Sequence, residues 1–225
     1  SELDSGKLIA VEKDSRFIEI LNGLLSSEKL TLINEDVLNI DWHDLLSDIG
    51  EKKVKVIANL PYYITTPVIM GLLESGYDFS TLIFMVQKEV AERMAADPGS
   101  KKYGSLSVAV QYYTEAEIVH QVPSSVFIPR PNVESSIIKL DKYKEIPYST
   151  EDKELFFAVV KAIFQQRRKN IKNALSKAAE IDLDKDLVIS ALENCGIDRR
   201  VRGEKLSIDK MVELSNELFS LLNSQ

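Results

Sequence analysis

The four residues Asn59-Leu60-Pro61-Tyr62 carry the most specific chemistry in this 225-residue sequence. The amide oxygen of Asn59 and the backbone carbonyl of Leu60 can together accept hydrogen bonds from both N–H groups of an exocyclic amine. Pro61 fixes the turn, and the ring of Tyr62 can stack on a flat base. A proline loop with a core tyrosine is the less favoured alternative. The spacing therefore predicts an amine-binding turn.

Two acidic residues also follow predicted strands. Glu12 ends the apolar run 7–12, where an acid can accept hydrogen bonds from both ribose hydroxyls of an adenosine. Asp36 follows the run 30–34, where a carboxylate can accept a hydrogen bond from an adenine amino group. Each has a plainer alternative: Glu12 as a solvated strand end, and Asp36 as a turn residue or the cap of a short helix. Ligands of parallel sheets sit outside the carboxyl ends of the strands, so Glu12, Asp36 and Asn59 are expected at one edge.

A second segment, Phe127–Ser135, contains two prolines that make a stiff extended loop. Such a loop can present Phe127 to the opposite face of a base. The alternative is a proline-rich connection with a core phenylalanine.

Basic residues cluster around Arg167, Arg168 and Lys169 in a region that we predict to be one helix, residues 152–179. Lys161, Arg168 and Lys172 are spaced by seven and four residues, so on a helix they would share a face. Such a stripe suits an RNA phosphate backbone. A merely solvated face explains it equally well.

The elements that must position these residues fall into two groups. Apolar strand patterns alternate with helical patterns in the first part of the chain, which predicts a parallel α/β sheet. The predicted strands are 7–12, 30–34, 53–58, 82–86, 117–121 and 135–140, and the predicted helices are 16–25, 65–74 (capped by Thr65 or Thr66), 87–96 and 103–113. After a linker at 146–150, only the helical patterns 152–179, 187–194 and 208–222 follow. We predict a sheet domain at 1–143 and a small all-helical domain at 144–225.

The composition limits the classes of protein that fit. The net charge of −7 lies entirely in residues 1–143, which hold 14 basic and 21 acidic residues, whereas residues 144–225 hold 14 of each. Local basic clusters must therefore dock any nucleic acid. Cys195 is the only cysteine, which fits a reducing cytoplasm. There is no membrane-spanning run or signal pattern, and two histidines are too few for a His-rich metal site. We predict a cytoplasmic monomer without a metal or a membrane partner.

The turn at Asn59 resembles the amino-methyltransferase motif of DNA and RNA methylases. With its surroundings, the chain resembles the KsgA/RsmA family of small-subunit ribosomal RNA adenine dimethyltransferases. The stretches that carry this resemblance are VEKD at 11–14, NEDVL at 34–38, NLPY at 59–62, VQKEVAERM at 86–94, YGSLSVAVQYY at 103–113, FIPRPNVESS at 127–136, FQQRRKNIKNAL at 164–175 and GIDRRVRGEKLS at 196–207. Together they extend over nearly the whole chain.

The resemblance implies a Rossmann-like class I methyltransferase sheet with a small all-helical C-terminal domain. It implies S-adenosylmethionine as cofactor, and small-subunit ribosomal RNA in the immature small subunit as partner. It assigns the cofactor ribose to Glu12, the cofactor adenine to Asp36 and the target amine to Asn59. The predicted site comprises the catalytic residues Asn59, Leu60, Pro61, Tyr62 and Phe127, the cofactor-binding residues Glu12, Lys13, Asp36, Val37 and Asn59, and the RNA-binding residues Arg130, Arg167, Arg168, Lys169, Lys172, Arg199, Arg200 and Arg202.

The sequence departs from the family at its beginning. The family carries an N-terminal basic segment, a first strand and a glycine-rich cofactor loop, and none of the nine glycines here has G-x-G spacing. We therefore expect residues 1–225 alone not to bind S-adenosylmethionine normally. Three alternatives stay open: a large-subunit methylase of the erythromycin-resistance type, a non-catalytic ribosome assembly factor, and a dinucleotide-dependent oxidoreductase, which would not explain the Asn59 turn.

Overall fold

The structure is a computed structural model, and it describes residues 6–24, 28–50, 53–178, 181 and 183–224. The chain forms two compact units. The first comprises Ser1–Lys53 and Tyr63–Asp78, and the second comprises Val54–Tyr62 and Phe79–Gln225.

The first unit is built around two parallel strands joined by a helix. Strand β1 (Leu8–Glu12) leads into helix α1 (Ser15–Leu24), and β2 (Leu30–Asn34) returns parallel to β1. A parallel return needs such a crossover. Glu12 is the register partner of Asn34, so both strands end at the same edge.

Two more helices complete the first unit: α2 (Trp42–Leu45) and α3 (Thr65–Glu74). Helix α3 has its predicted bounds, but the prediction that Thr65 or Thr66 caps it is wrong. The cap position is held by Ile64 without a side-chain hydrogen bond, and Thr65 is buried.

The second unit holds a four-stranded sheet in the order β3–β4–β6–β5. Strand β3 (Val54–Asn59) pairs parallel to β4 (Phe79–Gln87), whereas β5 (Thr114–Val122) and β6 (Ser135–Lys142) run antiparallel to their neighbours. The predicted parallel pairing is therefore correct for β3 and β4 but wrong for β5 and β6. A loop rather than a helix connects β5 to β6, and a loop is enough for an antiparallel return.

Helices α4 (Lys88–Met94) and α5 (Ser105–Tyr113) link β4 to β5. Four helices follow the sheet: α6 (Lys153–Gln165), α7 (Ile171–Leu175), α8 (Lys185–Asn194) and α9 (Ile208–Leu222). An aromatic cluster packs α6 against α5, because the ring of Tyr112 lies 5.1 Å from that of Phe156 and 5.5 Å from that of Tyr148. The helices thus belong to the second unit, and a functional boundary at 143/144 stays a prediction.

The single helix predicted at 152–179 is wrong, because the chain turns between α6 and α7. The side chain of Asn170 accepts a hydrogen bond from the backbone N–H of Asn173 at 2.9 Å, which caps α7 and starts a new helix. Lys161, Arg168 and Lys172 therefore do not form a stripe on one helical face. Residue 179, the end of the predicted helix, lies outside the described residues.

Candidate active site and RNA-contacting residues

The carboxyl ends of β1 and β2 are joined by the side chain of Asn34. Its amide nitrogen donates hydrogen bonds to the backbone oxygens of Glu12 and Lys13, both at 3.0 Å. The carboxylate of Glu12 accepts from the backbone N–H of Asp14 at 2.8 Å through Oε1. Within the part of the chain that the structure describes, Oε2 accepts no hydrogen bond, so Glu12 is oriented yet keeps an acceptor for a ligand hydroxyl.

Asp36 lies in the same unit and has two partners. Its Oδ1 accepts from the backbone N–H of Leu38 at 3.0 Å, which caps the short turn Val37–Asn39, and its Oδ2 accepts from the Lys13 ammonium at 2.8 Å. The hydrogen bond from Lys13 lowers the pKa of Asp36, and the same pair raises the pKa of Lys13. Asp36 is therefore ionised at neutral pH. The cap alternative is confirmed, while the adenine contact stays a prediction.

The turn after β3 is held in place by Leu60 and Tyr62, which follow the exposed residue Asn59. Asn59 ends β3 opposite Met85, and its side chain is exposed. The next residue, Leu60, is buried. The hydroxyls of Tyr62 and Ser135 are hydrogen-bonded at 3.1 Å. The Asn59 amide thus projects from a backbone that the apolar anchor of Leu60 and the Tyr62 tether hold in place.

Ser135 is a residue whose role sequence reasoning missed. It is the first residue of β6, is buried, and pairs with Gln87 of β4 and Val122 of β5. Its hydroxyl joins the Asn59 turn to three strand ends at once. Its position directly after the proline-rich segment was the available signal, but the partner, Tyr62, lies 73 residues earlier.

The loop between β5 and β6 places Phe127 after a short turn, Ser124–Val126, with its side chain half-buried. The Arg130 side chain donates from Nε to the Ser124 hydroxyl at 3.0 Å. At the β6 end, the Lys88 ammonium donates to Glu134 at 2.7 Å, and the Lys88 backbone N–H donates to the Glu134 carbonyl at 3.0 Å. Sequence reasoning gave neither Lys88 nor Glu134 a role, although they fix this loop against α4.

The predicted RNA-binding residues other than Arg130 divide into two groups. Arg167 donates to the backbone oxygens of Lys101 and Tyr103 at 2.8 and 3.0 Å and contacts Glu204 at 3.5 Å, so it braces the fold. Arg199 forms an ion pair with Glu193 at 3.1 Å. In the described ranges, no side-chain hydrogen bond or ion pair engages the second group: Arg168, Lys169, Lys172, Arg200 and Arg202. These five have their charges available for a ligand.

Among the described residues, no group of three or more His, Cys, Asp or Glu could hold a metal ion. Over those same ranges, no helix is long and apolar enough to span a bilayer.

The helix-linked parallel strands β1 and β2 are typical of a Rossmann-like fold, and the Asn59 turn that ends β3 has the residues of an amino-methyltransferase motif. The chain belongs to the ribosomal RNA adenine dimethylase family, whose model matches residues 4–219. It is 54% identical over 224 residues to the ribosomal RNA small subunit methyltransferase A of Halothermothrix orenii, a match that covers 98% of this chain and 74% of that one. The resemblance found in the sequence is therefore confirmed.

Solved structures agree on the fold. A dimethyladenosine transferase from Plasmodium falciparum superposes with a TM-score of 0.79 and 23% identity, covering 96% of this chain and 82% of that one. The 23S rRNA methyltransferase ErmE gives a TM-score of 0.70 and 22% identity, covering 95% and 82%. The predicted fold class, an α/β methyltransferase sheet with C-terminal helices, is confirmed. The oxidoreductase alternative is wrong.

Proposed function

We infer that this protein transfers methyl groups from S-adenosylmethionine to N6 of adenines in small-subunit ribosomal RNA, giving N6,N6-dimethyladenosine; the expectation that residues 1–225 alone do not bind the cofactor normally stays a prediction. Its family membership, with the small-subunit enzyme at 54% identity, carries this inference. The same similarity favours the small-subunit enzyme over the large-subunit methylase and over an assembly factor without activity.

The first unit supplies groups that fit the cofactor. Glu12 keeps a carboxylate oxygen for ribose hydroxyls, and Asp36, ionised and held by Lys13, is an acceptor for the adenine amino group. Val37 directly follows Asp36 in the capped turn and would lie against the adenine. When bound, S-adenosylmethionine supplies an electrophilic methyl group on a sulfonium.

The second unit supplies the groups that act on the amine. The lone pair of adenine N6 is delocalised into the ring, which makes it a poor nucleophile. The Asn59 amide oxygen and the Leu60 carbonyl would accept from the two N–H groups and favour a tetrahedral nitrogen. Acceptors fixed before the reaction avoid reorganisation during it. No strong base is required, because the methylated nitrogen loses its proton readily.

A base must leave its stack before Asn59 can reach it. Tyr62 is 40% exposed while its hydroxyl is tethered to Ser135, so one ring face is offered at a fixed position. Phe127 follows the turn that Arg130 braces. We assign these two rings to the two faces of the extruded adenine, with Pro61 fixing the turn between Leu60 and Tyr62. The second transfer requires that the site also accept the monomethylated amine.

The RNA is expected to be structured and part of an immature small subunit. With a net charge of −7, non-specific attraction to nucleic acid is weak, so local shape and charge must select the substrate. The available cations Arg168, Arg200 and Arg202 lie in the helical region, far along the chain from the Asn59 turn. We propose that the substrate RNA contacts both the Asn59 turn and these cations, so a mononucleotide should be a poor substrate.

A comparison of four substrates with the full-length protein tests this. We expect methylation to be fastest on immature small subunits, slower on naked small-subunit RNA and on a short hairpin, and undetectable on duplex DNA. Equal rates on the hairpin and the particle would refute the extended footprint. Preference for DNA would overturn the substrate class.

The second group of basic residues gives a further expected result. Replacing Arg168, Lys169 and Lys172 with glutamine should weaken RNA binding and flatten the dependence of log K on log salt, by up to roughly one unit for each phosphate that is no longer neutralised. Fluorescence anisotropy over a salt series measures the slope. The matched control replaces Lys144, Lys177 and Lys185, which changes the net charge equally. Equal slopes for both triple variants would mean that the cluster is only a solvated face.

We further propose that the protein acts in the cytoplasm as a monomer. A single free, buried cysteine suits a reducing compartment. Light scattering at the working concentration tests the oligomeric state.

A further inference from the structure

The loop between β5 and β6 exposes three large apolar side chains to solvent, Val126, Ile128 and Val133, of which the first two are the most exposed. Ile128 is fully exposed, and Val126, two residues earlier, is 63% exposed. Large apolar residues that stand this far out of the surface leave most of their area in water. Such exposure is tolerated singly, but here it falls beside Phe127, which we assign to the target base.

This exposure is not the result of a loosely held loop. The backbone N–H groups of Val126 and Phe127 donate to the carbonyls of Pro123 and Ser124 at 3.3 and 3.4 Å. Arg130 closes the other side by its hydrogen bond to the Ser124 hydroxyl. The loop is therefore braced immediately before and after Ile128, and the side chain is presented at a defined place.

The neighbours of Ile128 indicate what it meets. Phe127 precedes it with a flat apolar ring, and Arg130 follows it with a guanidinium that can pair with phosphate. An apolar side chain between a stacking ring and a cation is suited to entering a nucleic-acid stack, where isoleucine, leucine and proline are known to act as wedges. A protein partner would not need the ring and the cation in this order.

We propose that Ile128 is a wedge that enters the RNA stack beside the extruded adenine and contacts the base next to it. The inference rests on the proposed function, because it presumes that an adenine leaves a stack. In the extruded state Ile128 covers the neighbouring base and is itself removed from water. It thereby holds the stack open, while Asn59 acts on the amine.

The expected effect of Ile128→Ala follows from the apolar area that is no longer buried. On immature small subunits, the single-turnover rate of methyl transfer falls roughly tenfold. Ile128→Leu keeps the apolar volume and restores most of the rate. Val119→Ala is the matched control, since Val119 is 45% exposed on β5, outside the loop, and its rate stays at the wild-type level. Thermal melting of all three variants should match the wild type.

The decisive arm uses particles reconstituted with RNA that carries an abasic nucleotide beside the methylated adenine. With no neighbouring base to separate, Ile128→Ala should methylate this substrate at the wild-type rate. The wedge would be overturned if Ile128→Ala methylated the normal particle at the wild-type rate, or if it were slowed equally on both particles. In either case, methylation of the normal particle by the wild type would leave the proposed function standing. Absence of wild-type methylation on the normal particle would overturn both.

Discussion

We expect Asn59→Ala to abolish methyl transfer and to leave the fold intact. Asn59 ends β3 with an exposed side chain, so its removal opens no cavity in the second unit. The variant is missing one of the two acceptors that would hold the amine. Removing one well-placed group of this kind typically lowers kcat by about 10²–10³-fold. Incorporation of tritiated methyl groups into small-subunit RNA by the full-length protein should therefore drop to near background.

The matched control for this variant is Asn132→Ala, which removes an exposed asparagine from the β5–β6 loop of the same unit. It should retain near-normal turnover. Circular dichroism and thermal melting should not separate the two variants from the wild type. Near-normal turnover of Asn59→Ala with an intact fold would mean that the amine-binding turn has been wrongly assigned.

Gly203→Ala should give the largest loss of stability. A Cβ at Gly203 would lie 1.7 Å from the Cγ2 atom of Ile163 and 3.2 Å from its Cβ. Ile163 is buried on α6, and a β-branched side chain on a helix has few other rotamers. The clash must be relieved by moving the backbone, which lowers the free energy of unfolding by about 3 kcal/mol and Tm by roughly 6–12 °C.

Gly203→Ala should also affect the residues that we propose bind RNA. In the turn Gly203–Lys205, the carbonyl of Glu204 accepts a hydrogen bond from the backbone N–H of Gly99. The carboxylate of Glu204 contacts Arg167. Arg202 immediately precedes the turn. Shifting the turn should therefore weaken RNA binding even at temperatures where the variant is folded.

Differential scanning calorimetry measures the effect, with Gly71→Ala as the control. Gly71 lies in α3 with open space around it, so alanine there should leave Tm unchanged or raise it. In the double variant Gly203→Ala, Ile163→Ala the clashing methyl is absent, and the combined destabilisation should be smaller than the sum of the two single effects. Strict additivity would contradict the proposed clash.

Local patterns were enough to predict much of the fold. The bounds of α9 (Ile208–Leu222) and α3 (Thr65–Glu74) were predicted correctly, although the threonine cap predicted for α3 was wrong. The break between α6 and α7 was missed because both helices continue the same apolar pattern, whereas residues 166–170 leave the helix and Asn170 caps the next one. The antiparallel pairing of β6 was missed because strand direction depends on long-range pairing that a run of apolar residues does not encode.

In the candidate site, too, features set by local sequence were predictable and features set by long-range contacts were not. The position of the Asn59 turn at the end of β3 was predictable because the turn consists of consecutive residues, while its role in binding the amine stays a prediction. The tether from Tyr62 to Ser135 and the bracing role of Arg167 were not predictable, since their partners lie 73 and 66 residues away in sequence. A guanidinium that docks RNA and one that bonds backbone carbonyls have the same local sequence. Only the fold, which places the backbone carbonyl of Lys101 beside Arg167, shows that this arginine braces the structure.

The identity of the methylated nucleoside tests the central claim most directly. Immature small subunits are incubated with the full-length protein and S-adenosylmethionine, and the extracted RNA is digested to nucleosides for chromatography and mass spectrometry. The expected product is N6,N6-dimethyladenosine, absent when Asn59→Ala replaces the wild type. A methyl group on another base or on ribose, or monomethyladenosine as the sole final product, would contradict the account.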